Sequence, residues 1–267
     1  MPEGDTIWLT AQRLHEALGG NVLVQSDLRV PRLATANLSG HRIDQVVPRG
    51  KHLLFRLDNA LTLHSHLRME GAWLIYRHGE RWRGGPAHQI RAVLATAERT
   101  AVGYRLPVLD LLPTAREDSI VGHLGPDLLG PDWDADEAVR RLLAAPDRPI
   151  GEALLDQRNL AGIGNVYKSE LCFLRGVTPW TATVQVPEPQ RMVSLAHRLL
   201  EANKARHGHI TTGDVRRGRT HWVYDRAHQP CLRCGITVRV AEQGPPGEGR
   251  VTYWCPACQS GPGPDGA

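Results

Sequence analysis

The feature that most constrains the fold of this chain is a change in the period of its hydrophobic pattern. From residue 21 to about residue 122, apolar residues come in short runs separated by turn residues: VLVQSDLRV, RIDQVV, HLLFRL, LTLHSHL, AWLIYR and QIRAVLAT. A further stretch lies around Val102–Leu112, where Pro107 and Pro113 argue for strand edges or ends. Such runs read as strands, with Asp58-Asn59 as a hairpin turn between two of them. After residue 133 the period becomes helical. DADEAVRRLLAA reads as a helix ending before Pro146, IGEALLD as a short helix entered at Pro149, and NVYKSELCFLRG as one ending at Gly176. PEPQRMVSLAHRLLEANKARHG carries Met192, Leu195, Ala196, Leu199 and Leu200 at helical spacing. One helix precedes the strands, over 5–18, with Asp5 or Thr6 as its cap, Ile7, Ala11, Leu14 and Leu18 on one face, and Gly19-Gly20 as its stop. Strands followed by helices predict an α+β architecture. The Gly-, Pro- and Asp-rich HLGPDLLGPDW, 123–133, is the expected linker.

A chain of 267 residues is long enough for two domains with real cores. No run of 18 apolar residues predicts a membrane span, and MPEGDTIW lacks the apolar core of a secretory signal. Five cysteines, an odd number, argue against a secreted disulfide framework and for an intracellular chain. The net charge of +4 is mild, but it is unevenly placed. Residues 191–267 hold eleven Lys or Arg against six Asp or Glu, a net of +5, which leaves residues 1–190 at −1. Only three of the 32 basic residues are lysines: Lys51, Lys168 and Lys204. No phosphate-binding Walker motif is present, so no ATP-driven role is expected.

Cys231, Cys234, Cys255 and Cys258 follow the spacing C-x2-C-x20-C-x2-C. Two such knuckles supply four thiolates, the set that Zn²⁺ takes in a closed tetrahedral site, so one structural Zn²⁺ and no catalytic metal or organic cofactor are expected. VRVAEQGPPGEGRVTYW between the pairs reads as strand, turn and strand, a zinc-finger β-hairpin. Cys172 is left over, on an apolar helix, as a buried free thiol. Arg239 and Arg250 lie on the hairpin strands and Arg216, Arg217, Arg219 and Arg226 precede it; the arginine fork suits phosphate oxygens. In IGEALLDQRNLAGIGNVYKSELCF two helices flank a long turn containing Gly162 and Gly164. Asn165 then opens a helix, where free N–H groups favour an anion such as a DNA phosphate. His64 and His66 share a strand face, a pattern compatible with a metal but ordinary for strand polar residues.

Pro2 would become a secondary amine once Met1 is trimmed. With a pKa near that of an ordinary α-amino group, roughly 7.7–8, a useful fraction is neutral at pH 7 and can attack a sugar C1′. Glu3 beside it can move protons.

MPEG at the start, PRGKHLLF at 48–55, LDQRNLAGIGNVYKSE at 155–170 and the four-cysteine finger occur in that order. Together they resemble the formamidopyrimidine-DNA glycosylase/endonuclease VIII family over essentially the whole chain. The resemblance implies an N-terminal β-sandwich with a leading helix (1–122), a linker (123–133), a helix-two-turn-helix domain (134–225), a zinc finger (226–260) and a disordered tail (261–267), with DNA between the two domains. It implies Pro2 as nucleophile and Schiff-base former, Glu3 as the group that protonates the sugar ring oxygen, and Lys51 as a phosphate contact that supports catalysis. Asn165 and Arg250 would hold backbone phosphates, and Met69, with Arg68 beside it, would fill the gap left by an extruded base. The implied enzyme is an intracellular, monomeric bifunctional glycosylase and lyase of damaged duplex DNA. MPEGDT and the short HITTGDVRRGRTHWVYDRAHQPC connection resemble the endonuclease VIII branch, which points to oxidised pyrimidines. The purine-directed branch and a catalytically silent DNA-binding relative are the alternatives. Thr6 departs from the family's usual Glu; Asp5 is the residue at hand to substitute.

Overall fold

The computed structural model describes residues 2–265. The chain divides into two compact units, one of Pro2 and Thr6–His123, the other of Glu3–Asp5 and the residues from Leu124 onward. The first is a β-sandwich led by α1 (Gly4–Leu18). Eight strands follow: β1 (Gln25–Leu28), β2 (Ile43–Arg49), β3 (His52–Leu57), β4 (Leu61–His66), β5 (Ala72–Arg77), β6 (Ile90–Ala95), β7 (Arg99–Tyr104) and β8 (Val108–Pro113). They form two antiparallel four-stranded sheets, ordered β1-β6-β7-β5 and β2-β3-β4-β8. Ile7, Ala11, Leu14 and Leu18 of α1 are buried in one cluster with Leu53, Phe55 and Leu63 of one sheet and Ala92, Leu94 and Ala101 of the other. Burial of such an apolar stripe, rather than propensity, stabilises the helix. Its start differs from the sequence expectation. The helix begins at Gly4, so Asp5 and Thr6 lie inside its first turn and do not cap it. The β3–β4 turn takes three residues, Asp58, Asn59 and Ala60, with Ala60 at φ +60°.

The first unit ends with α2 (Asp118–Val121), and just before it Glu117 accepts both forks of the Arg56 guanidinium and the Thr62 hydroxyl. Beyond it come α3 (Ala135–Leu143), α4 (Ile150–Leu155), α5 (Asn165–Leu174) and α6 (Pro189–Asn203), then the hairpin β9 (Arg239–Gln243) and β10 (Arg250–Trp254). Asp134 caps α3 by accepting from Glu137 N–H at 3.0 Å. Leu154, Leu160, Ile163, Leu171, Met192, Ala196 and Leu200 share the helical core. The Gly/Pro-rich stretch is not an open linker throughout: Leu124–Leu128 is buried, and Ala161 N–H bonds to the Pro126 carbonyl at 2.9 Å. A polar backbone stretch is satisfied there by packing on the helical turn. The finger is not set apart either. Phe173 of α5, Val223, Cys231, Val238 and Cys255 form one buried cluster. The expected disordered tail is also corrected in part, because the Pro262 carbonyl accepts from the Thr178 hydroxyl at 2.7 Å; Gly266 and Ala267 lie outside the described residues.

Candidate active site and nucleic-acid interface

Glu3 is fully buried. One carboxylate oxygen accepts from Gly164 N–H at 2.7 Å and Tyr167 N–H at 3.4 Å, the other from Val166 N–H at 2.7 Å. These are the N–H groups that open α5 and have no partner within the helix. They form an anion site at a helix N-terminus, reinforced by the helix dipole. The anion these three N–H groups hold within the chain is the carboxylate of Glu3. The glycines follow from the same contact. Gly4 N–H bonds to the Gly162 carbonyl at 2.8 Å, and a Cβ on Gly4 would lie 2.9 Å from the Gly162 Cα. Gly162 itself sits at φ +113°, and a Cβ on Gly164 would lie 2.6 Å from the Glu3 Cδ. A side chain on Gly164 would push the carboxylate away, one on Gly4 would force the two backbones apart, and one on Gly162 would strain its backbone.

Asp5 is committed beside it. Its Oδ2 accepts from the Tyr167 hydroxyl at 2.5 Å and pairs with His209 Nδ1 at 2.8 Å. Burial, with the Asp5 charge next, drives the Tyr167 hydroxyl well above its usual range, so it stays a donor. Asp5 therefore braces the turn and is not spare to replace the missing Glu at position 6. Neither Tyr167 nor His209 was singled out from sequence, because contacts across more than 160 residues leave no local pattern.

Pro2 is half-buried, separated from α1 by Glu3 alone. Lys51 stands in the two-residue tip of the β2–β3 hairpin, between the paired Arg49 and His52, where Gly50 takes φ +55°. Three histidines pack below this tip. His52 Nδ1 and His64 Nε2 share a hydrogen bond of 2.8 Å, and the His66 ring meets His52 edge-on at 4.9 Å. Burial, with the neighbouring His66, His64, His123 and Lys51, lowers His52 to about 3. Burial, with Lys51 next, lowers His66 to about 4. The three are thus neutral at physiological pH, and the lysine at this tip, Lys51, adds its charge to that of Arg49. Among the described residues they are not part of a set of three or more metal-ligand atoms. Arg68 and Met69 sit in the β4–β5 turn. Arg68 takes φ +46° and donates its N–H to His66 Nδ1 at 3.0 Å, and Met69 is 59% exposed rather than packed under the turn.

The finger presents Arg250, exposed at the start of β10. Asn165 is buried and braced against it, its Nδ2 donating to the Val251 carbonyl at 2.7 Å. Among the other arginines, Arg216 and Arg219 are paired with Asp214. Arg226 does not reach for phosphate. It is 7% exposed and donates to the Gly218 and Pro230 carbonyls, tying the connection together. Glu170 anchors the same connection by accepting from Trp222, Val223 and Tyr224 N–H at 2.8–2.9 Å. A glutamate on the apolar face of α5 was the one sequence signal for this anchor.

The Sγ atoms of Cys231, Cys234, Cys255 and Cys258 all lie within 4.8 Å of one another. Two of the pairs, Cys234–Cys255 at 3.5 Å and Cys231–Cys258 at 4.0 Å, bracket the roughly 3.8 Å between sulfurs of a tetrahedral ZnS₄ centre. Cys172 stands apart, fully buried, with its thiol pushed up to about 12 by burial.

Residues 1–105 match the formamidopyrimidine-DNA glycosylase N-terminal domain, and residues 124–212 match the H2TH domain of the same enzymes. The chain belongs to the formamidopyrimidine-DNA glycosylase/endonuclease VIII family. Within it the relatives are of the endonuclease VIII branch. The chain is 62% identical to the "Probable endonuclease 8 2" of Streptomyces coelicolor, over 99% of this chain and 96% of that one. It is 48% identical to the "DNA-(apurinic or apyrimidinic site) lyase Nei2" of Mycolicibacterium smegmatis, over 97% and 99%. Among solved structures, the Lactococcus lactis enzyme bound to abasic-site DNA superposes with a TM-score of 0.80 at 22% identity, over 97% of this chain and all of that one. That likeness concerns the fold.

Proposed function

We propose that this protein is a bifunctional DNA glycosylase and AP lyase of base excision repair that acts through Pro2, with oxidised pyrimidines as its preferred bases. The glycosylase and lyase reading is supported by the relatives named endonuclease 8 and AP lyase. The single observation that carries the residue assignment is the burial of the Glu3 carboxylate on the first N–H groups of α5, in the residue directly bonded to Pro2. A carboxylate held by three donors cannot swing, so the proton acceptor stays within one residue of the nucleophilic nitrogen.

The neutral Pro2 nitrogen attacks C1′. The N–C1′ bond forms, the glycosidic bond breaks, and the base leaves with its electron pair and takes up a proton. The proton lost from the Pro2 nitrogen passes to Glu3 and from it to the ring oxygen, which opens the sugar as the nitrogen lone pair completes a cationic iminium. This electron sink acidifies C2′–H. Loss of that proton expels the 3′ phosphate, and a second elimination expels the 5′ phosphate. Lys51 supplies a positive charge for a phosphate near the lesion, and Arg250 one on the finger. Met69 occupies the space of the extruded base. When bound to the four cysteines, Zn²⁺ supplies a structural cross-link that holds the finger hairpin. The protein works on damaged duplex DNA, as a monomer in the cell interior; among the described residues no helix is long and apolar enough to cross a membrane.

The pyrimidine preference is supported by the compact connection after α6. It is closed by its own Thr211–Thr220 and Asp214 contacts and leaves little chain to cover a purine. Excision from matched duplexes carrying thymine glycol or 8-oxoguanine, at one fixed salt concentration and with end-group analysis of the products, tests it. Faster release of thymine glycol with phosphate at both ends of the gap is the expected result. Preferential release of 8-oxoguanine overturns the substrate assignment.

A further inference from the structure

We propose that Lys168 is a positioning residue for DNA binding: its buried amino group fixes, through Thr252, the strand from which Arg250 projects. The proposal rests on the reading of Arg250 as a phosphate contact.

Lys168 is fully buried on α5, one turn beyond Asn165. Its Nζ donates to the Thr252 hydroxyl at 2.6 Å, and that hydroxyl donates to the Arg250 carbonyl at 2.8 Å. Thr252 is fully buried as well. Asn165 holds the residue between them, through the Val251 carbonyl at 2.7 Å. Two consecutive residues of β10, Val251 and Thr252, are thus fastened to α5, and Thr252 in turn ties the carbonyl of the exposed Arg250. The Lys168–Thr252 link is costly. Lys168 makes no ion pair within 4 Å among the described residues, and an ammonium buried with so little compensation destabilises a fold that a methionine would fill more cheaply. Burial outweighs the nearby Cys172, Glu3 and Glu152, with Arg250 adding to it, and lowers the amine to about 8. A side chain that costs stability but orders the finger strand is explained by what the strand does. Arginine contacts to phosphate are directional, and a strand free to shift by an ångström would lose the contact while keeping the charge.

The test uses the whole protein and a duplex carrying a tetrahydrofuran abasic analogue, with binding measured by fluorescence anisotropy between 50 and 200 mM KCl and thermal unfolding measured alongside. Arg250→Ala is expected to weaken binding about tenfold and to lower the salt slope by about 0.9, the loss of one phosphate contact. Lys168→Met is expected to move affinity and slope in the same direction, Thr252→Val to do so by the other partner, and Lys168→Met/Arg250→Ala to fall no further than Arg250→Ala alone. The melting temperature of Lys168→Met is expected to equal or exceed that of the parent. If Arg250→Ala loses the contact while Lys168→Met and Thr252→Val keep the parental slope, the proposal fails and the reading of Arg250 stands. If Arg250→Ala itself leaves the slope unchanged, the reading of Arg250 fails and takes the proposal with it. A Lys168→Met protein that melts earlier with an unchanged slope assigns the lysine a purely structural role.

Discussion

Replacing Glu3 by Gln keeps its size and removes its charge, and the structure assigns that change an unusual double effect. One oxygen accepts from Val166 N–H, the other from Gly164 and Tyr167 N–H. An amide has one oxygen and one NH₂, so whichever way it turns, a donor faces a buried backbone donor. An unsatisfied buried N–H costs about 1–3 kcal/mol, and the lost charge at the helix start roughly another 1 kcal/mol. The sum, about 2–4 kcal/mol, lowers the melting temperature of a unit of this size by roughly 5–15 °C. Excision falls at the same time by about 10²–10⁴, the range for loss of a positioned proton-transfer group. Thermal melts followed by circular dichroism, with single-turnover excision at a temperature where both proteins are folded, separate the two effects. A Glu3→Gln protein that loses excision yet melts within a degree of the parent would falsify the argument that the carboxylate holds the α5 turn.

Further outcomes follow from other parts of the molecule. Met69→Ala is expected to leave urea stability within about 0.5 kcal/mol, since the side chain is exposed, while lowering excision from duplex about tenfold and from single strands far less. The neutral histidines set an acid limb. Their folded values lie below the unfolded 6.5, so the unfolded chain binds more protons as pH falls from 6.5 towards 4, and stability present above 6.5 is lost across that window. His52→Leu is expected to flatten the limb by roughly 1.4 kcal/mol per pH unit; an unchanged limb in urea titrations at pH 4–7 contradicts the placement of His52. Stripping metal with a chelator is expected to release one Zn²⁺ per chain by atomic absorption and to abolish duplex binding. Far-ultraviolet signal from the sandwich should persist, because Leu53, Phe55 and Leu63 pack in a core of their own.

Much of this molecule is legible in local pattern. Strand and helix periods located nearly every element, and the cysteine spacing located a cluster whose geometry suits a tetrahedral metal. What pattern could not show were partnerships between distant residues. Gly162 and Gly164 read correctly as close-approach positions, but nothing local said that the approaching group was Glu3 and not a ligand. Arg226 looked like its neighbours Arg217 and Arg219; only burial against two carbonyls distinguishes it. HLGPDLLGPDW has linker composition, yet Leu124 and Leu128 are apolar enough to be buried, and that outweighed its Gly and Pro content. Lys168 stood out for rarity alone, and its role depends on Thr252, 84 residues away.

The central claim is that the covalent chemistry belongs to Pro2. Borohydride reduction of the Met-trimmed protein on an abasic-site oligonucleotide, followed by proteolysis and mass spectrometry of the adduct, tests it directly. The account predicts a single cross-linked peptide modified at the Pro2 nitrogen, and its loss in Pro2→Gly or with an untrimmed N-terminus. An adduct carried by Lys51, Lys168 or Lys204, or no adduct at all, contradicts it.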